Sequence, residues 1–240
     1  FLLKGSSLLY ALDGFKARPT IDIDLLGERI SNDRDNLKRV FQKVCSVECE
    51  DDGVRFDAGS LELEPIAIEK KYPGTCVKVV AHLDTIVQQV SVDIGFGDVV
   101  TPYPVSLDYP LLLPDVPAVE IYAYSLETLI AEKFHTMVDR DESNSRMKDF
   151  FDVYQLFTYH EIDKALLEEA IVSTFKNRNT SYKDNLALFT NTFAQDDTRN
   201  AWWKAFLKKI RWKEHIDFSD VMNCIKENLQ EYWKEDVLGR

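Results

Sequence analysis

The chain has 240 residues, a formal net charge of −12 and a hydrophobic content of 45%. This length allows one large domain or two modest ones, and the acidity argues against non-specific coating of nucleic acid, which needs clustered Lys and Arg. The four cysteines show no CxxC motif or zinc-ligand spacing, and no apolar run approaches the ~20 residues that span a bilayer. We therefore expect a cytoplasmic protein with reduced thiols and no place in a membrane.

A small-residue turn near the start of the chain is a candidate phosphate site. An apolar strand over residues 1–3 precedes the turn, and a helix-like run over residues 8–12 follows it. Since the strand opens the chain without Met, we also expect a preceding piece to be missing. A turn at a helix N-terminus offers N–H groups and hydroxyls to a phosphate. We predict that three residues bind phosphate here: Gly5, Ser6 and Ser7.

The strand predicted over residues 21–26 carries two aspartates that are separated by one residue. Because side chains alternate along a strand, Asp22 and Asp24 share one face. Neighbouring carboxylates repel each other, and Mg²⁺ offsets this repulsion well because it prefers carboxylate and phosphate oxygens. A phosphate-binding turn followed by a metal-binding Asp-x-Asp predicts nucleotidyl transfer.

The rest of the first half alternates strands with few helices. Periodicity and breaker residues predict one helix, four strands, one turn and one irregular stretch that holds five prolines. These are the helix 36–45, the strands 60–69, 76–83, 87–94 and 119–124, the turn 72–74 and the irregular stretch 102–117.

Asp93 is the candidate third carboxylate. It alternates with Val92 and Ile94 along its strand, so it does not share the face of these apolar residues. If this strand lies beside the strand with Asp22 and Asp24, the three carboxylates can hold two Mg²⁺ ions. The alternative is a set of solvated carboxylates at a sheet edge.

From residue 125 onward the pattern is helical. Apolar residues at helical spacing and a serine N-cap at Ser125 predict five helices around a polar loop at 139–146. The predicted helices are 126–138, 147–159, 163–176, 198–211 and 218–235. We therefore predict a strand-rich core over residues 1–124 and a helical region over residues 125–240.

Three charged residues of this helical region are candidates for the site. Lys133 lies on an apolar helix face, where an ammonium needs an anion such as triphosphate, unless it snorkels to the rim of the core. Asp149 and Asp152 are i,i+3 neighbours on one face of the next helix. Carboxylates at a helix start are also common partners of the helix dipole.

The segment 202–213 interleaves tryptophans and other apolar residues with basic residues. One interpretation is a basic helix face that holds RNA phosphates, with tryptophans that stack on bases. The other, which we favour, is an amphipathic helix with a Trp and Leu core face and solvated lysines. The basic residues are Lys204, Lys208, Lys209, Arg211 and Lys213.

Six segments in this order resemble the AbiEii/AbiGii family of nucleotidyltransferase toxins, which includes the MenT toxins. The similarity spans roughly residues 1–157, whereas residues 160–240 match no family motif. The segments are KGSSLL at 4–9, RPTIDIDL at 18–25, YPG at 72–74, VDIGFGD at 92–98, SLETLIAEKF at 125–134 and RMKDFFDVY at 146–154.

The resemblance implies a polymerase-β-like core, which is a mixed sheet with flanking helices, followed by a helical C-terminal part in an α+β fold. It implies Mg²⁺-dependent transfer from an NTP, with tRNA as acceptor in some relatives and an antitoxin as partner. The mild departures from the family pattern are Ser6 for Gly and Thr20 for Ser. The implied roles are metal binding by Asp22 and Asp24, nucleotide contact by Ser6, Thr20 and Asp152, phosphate contact by Lys133, and late catalysis by Asp149.

Two other functions stay open on the sequence. An antibiotic-type nucleotidyltransferase would use the acidic charge to attract a cationic small molecule. A catalytically inactive nucleotide-binding module is the non-enzymatic alternative, although Asp22, Asp24, Asp93 and Lys133 are all present.

Overall fold

The computed structural model describes residues 1–49, 52–66, 74–111 and 118–239. The chain divides into two compact units. The first comprises Phe1–Lys16, Thr20–Asp98 and Ser106–Ala123, and the second comprises Ala17–Pro19, Val99–Val105 and Tyr124–Arg240. The short segments 17–19 and 99–105 thus belong with the helical part, although they lie within the strand-rich half of the sequence.

One mixed sheet forms the basis of the strand-rich part. Across the sheet the described strands follow the order β3-β4-β5-β2-β1-β7-β6. β1 is antiparallel to β2 and parallel to β7, whereas β2 is parallel to β5. The strands are β1 (Leu2–Lys4), β2 (Ile23–Leu26), β3 (Val54–Pro65), β4 (Gly74–Leu83), β5 (Ile86–Gly95), β6 (Val105–Tyr109) and β7 (Val119–Ala123).

The proline-rich stretch contains a strand that we did not predict. β6 lies between Pro104 and Pro110, so neither proline interrupts its ladder. β6 is an edge strand and needs backbone hydrogen bonds on one side only, so the neighbouring prolines are tolerated. The prediction of an irregular 102–117 was therefore wrong at β6. Residues 112–117 of that stretch, residues 67–69 of the strand predicted over 60–69, and residues 72 and 73 of the predicted turn lie outside the described residues.

Among the described residues of the first unit, two helices accompany the sheet, namely α1 (Gly5–Asp13) and α2 (Arg34–Cys45). α2 begins at the N-cap Asp33, whose side chain accepts a hydrogen bond from the Asn36 N–H at 2.8 Å. Burial of each large apolar side chain stabilises this unit by roughly 1.5–3 kcal/mol. The core cluster consists of Leu37, Phe41, Leu61, Leu63, Val77, Val79, Ile94 and Phe96.

The second unit is helical, so the predicted change from strands to helices near residue 125 is confirmed. The predicted helices 198–211 and 218–235 end earlier, at Lys209 and Leu229, and short 3-10 turns separate several elements. Among the described helices, none is long and apolar enough to span a membrane. The helices are α3 (Leu126–Arg140), α4 (Met147–Tyr159), α5 (Lys164–Asn177), α6 (Asn191–Gln195), α7 (Asp197–Lys209), α8 (Phe218–Leu229) and α9 (Glu235–Leu238). The mixed sheet with flanking helices, followed by these helices, confirms the predicted α+β fold class.

Candidate active site

The turn between β1 and α1 passes directly beside the carboxylate of Asp24. Gly5 has a φ of +64°, a conformation that L residues with a side chain rarely adopt. A Cβ built on Gly5 would lie 2.2 Å from Asp24 Oδ2 and 2.9 Å from Asp24 Cβ. Since the Asp24 Cβ is held by its strand, rotation of the carboxylate alone cannot relieve this overlap. Only glycine lets the backbone of the turn approach Asp24 so closely.

Asp24 and Asp93 are register partners on the neighbouring parallel strands β2 and β5. Register partners on adjacent strands point to the same face, with the strands about 4.8 Å apart. The two strands therefore do lie side by side, which is the condition for Asp24 and Asp93 to share a site. Metal binding by the two carboxylates stays a prediction.

Asp22 lies just outside the strand on which we placed it. β2 begins at Ile23, so strand alternation does not define the direction of the exposed Asp22 side chain. Two hydroxyls hold its backbone instead. Ser7 Oγ donates to the Asp22 carbonyl at 2.8 Å, and Thr20 Oγ1 accepts from the Asp22 N–H at 3.3 Å. Side chains that bond backbone groups in this way compete with the regular ladder, which explains the late start of β2.

The predicted phosphate turn has its serines turned inward. Ser6 and Ser7 are buried, and the Ser7 hydroxyl is engaged by the Asp22 carbonyl. Thr20 likewise uses its hydroxyl on the backbone of Asp22. These contacts favour a role of Ser7 and Thr20 in shaping the segment that carries Asp22. Phosphate contact at Gly5, Ser6, Ser7 and Thr20 stays a prediction.

The carboxylates of the first unit fit a hard cation by their chemistry. Among the residues that the structure describes, no three His, Cys, Asp or Glu side chains gather closely enough to hold a metal ion as they stand. However, Mg²⁺ needs only one or two carboxylates when substrate phosphates and water supply its other ligands. Asp24 and Asp93 offer such oxygens from adjacent strands, and Asp22 lies two residues before Asp24.

A buried network of charged side chains lies within the second unit. Lys133 Nζ donates to Asp152 Oδ2 at 2.7 Å and to Asp149 Oδ1 at 3.1 Å. Arg18 donates two hydrogen bonds to Asp152, from Nε to Oδ1 at 2.7 Å and from Nη2 to Oδ2 at 2.9 Å. Arg146 Nε donates to Asp149 Oδ2 at 2.6 Å. The network thus links α3 and α4 to the segment 17–19 through three cations and two carboxylates.

The charges in this network hold one another ionised. Burial lowers the pKa of Lys133, but the carboxylates of Asp152 and Asp149 outweigh it, so the pKa lies above its usual value. Burial raises the pKa of Asp149, but Lys133 and Arg146 outweigh it and lower this pKa to about 2. The Lys133 side chain is only 9% exposed. Lys133 therefore does not snorkel, and its anionic partners in this structure are protein carboxylates.

Asp152 has the most enclosed carboxylate of the network. Its side chain is fully buried, and both of its oxygens accept hydrogen bonds from Arg18 or Lys133. This geometry favours a structural role, in which Asp152 holds two cations, over the nucleotide contact that the resemblance implies. Arg18 and Arg146 had no predicted role, although they lie in the motif segments 18–25 and 146–154.

The segment 202–213, which begins within α7 and extends beyond its end, has a buried side and an exposed side. Trp203 is buried, its Nε1 donates to the Ile216 carbonyl at 2.7 Å, and Trp203 and Trp212 pack against Phe151. The prediction of an amphipathic helix with a Trp and Leu core face is therefore confirmed at Trp203, whereas Trp212 lies beyond the end of the helix and Leu207 is only half-buried. Trp202 is 42% exposed. The exposed basic residues are Lys204, Lys208, Lys209, Arg211 and Lys213.

The mixed sheet, the glycine turn and the aspartates in register agree with the nucleotidyltransferase class that the motifs predicted. The family model described as nucleotidyl transferase AbiEii toxin, type IV toxin-antitoxin system, matches residues 1–224. The chain therefore belongs to the AbiEii family of nucleotidyltransferase toxins.

Two solved structures are similar to the chain. JHP933 from Helicobacter pylori has 13% identity and a TM-score of 0.47, over 96% of this chain and 85% of that one. An H. pylori protein described as a candidate nucleotidyltransferase has 16% identity and a TM-score of 0.42, over 90% and 89% of the two chains. No curated protein matches the chain significantly.

Gly5→Ala is expected to lower nucleotide transfer about a hundredfold, because displacement of a catalytic group by about 1 Å has that effect. Gly14→Ala is the matched control, since Gly14 has a φ of +56° but nothing within 4 Å of an added Cβ. Both variants should lose roughly 1 kcal/mol of folding stability from the strained φ, and Gly5→Ala should lose more because its Cβ also overlaps Asp24. Measurements of initial rates and of urea unfolding separate the two effects. Equal activity of the two variants would contradict the close approach of Gly5 to Asp24.

Proposed function

We propose that this toxin transfers a nucleotide from an NTP to RNA, with tRNA as the acceptor, and that Asp22, Asp24 and Asp93 hold Mg²⁺. The observation that carries the proposal is the register of Asp24 with Asp93 next to the Gly5 turn. Mg²⁺ bound there neutralises phosphate charge and activates the acceptor hydroxyl. Gly5 brings the backbone of the turn close to Asp24, and the Ser7 and Thr20 hydroxyls orient the segment with Asp22.

We further propose that Lys133 contacts the NTP phosphates and that Asp149 is the late catalytic carboxylate, as the family resemblance implies. The charged network supports an anionic ligand, because it brings three cations, Arg18, Lys133 and Arg146, close together around Asp149 and Asp152. Arg146, with a side chain that is 39% exposed, is the most accessible cation of the network. A phosphate near it would accept charge-assisted hydrogen bonds from its guanidinium.

The RNA acceptor is supported by the exposed basic face of the segment 202–213. Lys204 and Lys208 lie one helical turn apart on α7, and Arg211 and Lys213 follow directly after the helix. Such a face holds phosphates, and the partly exposed Trp202 offers a ring for stacking. Since the chain as a whole is acidic, attraction of RNA should depend on this local group of charges.

The direct test of the proposed function is incubation of the purified protein with each labelled NTP, Mg²⁺ and total tRNA. Label that appears on tRNA with one preferred NTP supports the proposal. Label that appears only on an added aminoglycoside supports the antibiotic-type alternative. Absence of transfer to either acceptor, with NTP binding retained, supports the inactive module. We also propose that the protein acts in the cytoplasm together with the antitoxin that its family implies.

The double change Lys208→Glu and Lys209→Glu is expected to raise the apparent KM for RNA and leave NTP binding intact. Each lost phosphate contact lowers the slope of log activity against log salt by about 1, so we expect a decrease of about 2. The matched control is Lys38→Glu with Lys43→Glu, which makes the same charge change at exposed positions of α2. Initial rates of nucleotide transfer to RNA, measured over ~50–200 mM salt, give these slopes. Equal slopes for the two double variants would remove this segment from RNA binding.

A further inference from the structure

Three charged residues occupy consecutive register positions across the middle of the sheet. Lys4 on β1 is the register partner of Asp24 on β2, and Asp24 is the register partner of Asp93 on β5. Register partners share a face, so the side chains of all three leave the same face of the sheet. The sequence motif KGSSLL contains Lys4, but neither the motif nor the proposed function assigns it a role.

Lys4 forms an ion pair with Asp98, a residue in the loop after β5. The distance from Lys4 Nζ to Asp98 Oδ2 is 2.8 Å, and the two side chains are 15% and 10% exposed. A Cβ on Gly95 would lie 3.8 Å from Lys4 Nζ and 3.7 Å from Asp98 Oδ2. The ion pair therefore passes over Gly95, which lies two residues beyond Asp93 and on the same face.

This ion pair joins β1 to the end of β5 and so spans β2, which lies between them. Asp24 is on the spanned strand, and Asp93 is on the strand whose end is held. We propose that Lys4 and Asp98 are positioning residues, whose bridge sets the separation of the Asp24 and Asp93 carboxylates for a divalent cation. The inference rests on the proposed function, because it assumes that these two carboxylates bind Mg²⁺. Partners that orient ligand carboxylates without touching the metal commonly control its affinity.

The net charge of the site must be kept constant in a test of this proposal. Lys4→Met alone removes a positive charge and increases the attraction of Mg²⁺, and this gain opposes the loss of positioning. Each single change also removes one charge of an enclosed ion pair and keeps the other, which destabilises the fold. The double variant Lys4→Met with Asp98→Asn avoids both problems, because it removes both charges of the pair together and so keeps the net charge unchanged.

The readout is the Mg²⁺ concentration that gives half of the Mg²⁺-induced rise in Tm, which needs no catalytic activity. For the double variant we expect this concentration to rise about tenfold, at a metal-free Tm close to that of wild type. Lys4→Arg, which can keep the ion pair, should stay near wild type. The control is Lys78→Met with Glu64→Gln, which removes a more exposed ion pair from β3 and β4 of the same sheet.

Several outcomes would overturn the positioning role. An unchanged Mg²⁺ response of the double variant would show that the bridge has no effect on the carboxylates. A change of equal size in the control pair would show that any ion pair of the sheet has this effect. A rise in the KM for NTP at an unchanged Mg²⁺ response would make Lys4 a phosphate contact instead. If wild type transfers no nucleotide, the proposed function fails, whereas the Tm titration still decides the role of the bridge.

Discussion

Asp24→Asn is expected to reduce nucleotide transfer at least about a thousandfold while the protein stays folded. This factor corresponds to about 4 kcal/mol of transition-state stabilisation, which is the size expected for loss of a metal-binding carboxylate. Asn keeps the shape of the side chain but loses the charge that attracts the cation. The change also relieves repulsion with the register partner Asp93, so the protein should stay folded in the absence of metal.

The matched control for this experiment is Asp108→Asn, which neutralises an exposed aspartate on β6. It makes the same change in net charge and should leave transfer at the wild-type rate. Asp22→Ala is a useful companion, since the exposed Asp22 side chain contributes little to packing, and we expect it to abolish transfer too. Near wild-type transfer by either Asp24→Asn or Asp22→Ala in the presence of Mg²⁺ would refute the proposed metal site.

Asp152→Asn is expected to destabilise the second unit by about 3–5 kcal/mol, the usual cost when one partner of a buried ion pair is removed. The reason is that Asp152 is the shared partner of two cations, the guanidinium of Arg18 and the ammonium of Lys133. Without its charge, both cations stay buried with too little compensation. In a unit of this size we expect the Tm to fall by roughly 10–20 °C.

Thermal and urea unfolding of the purified variant measure this effect. Asp220→Asn is the control, because Asp220 is an exposed aspartate in the first turn of α8, where the change should cost no more than about 0.5 kcal/mol. A loss of less than about 1 kcal/mol for Asp152→Asn would mean that the network is not essential to the fold. In that case the nucleotide contact implied by the family resemblance becomes the better assignment for Asp152.

Local patterns in the sequence were sufficient for most elements and for the family. β-Branched residues predicted the strands that became β4 and β5, and helical spacing predicted α3 and α4. The predicted N-cap Ser125 accepts a hydrogen bond from the Thr128 N–H at 3.1 Å. These features depend on residues that are close in the sequence, so the sequence alone contains the relevant information. The ordered motifs likewise predicted the AbiEii family before any geometry was known.

The partners of the charged side chains were decided only by the tertiary structure. Helical periodicity indicated that Lys133 needs an anion, but it could not identify Asp149 and Asp152 as the carboxylates that meet it. Arg18 and Asp152 are 134 positions apart, and no pattern of period 2 or 3.6 connects residues at that distance. The same holds for Lys4 and Asp98, which meet only because β5 and β1 flank β2. Periodicity determines which face a side chain occupies, whereas the path of the whole chain determines what that face meets.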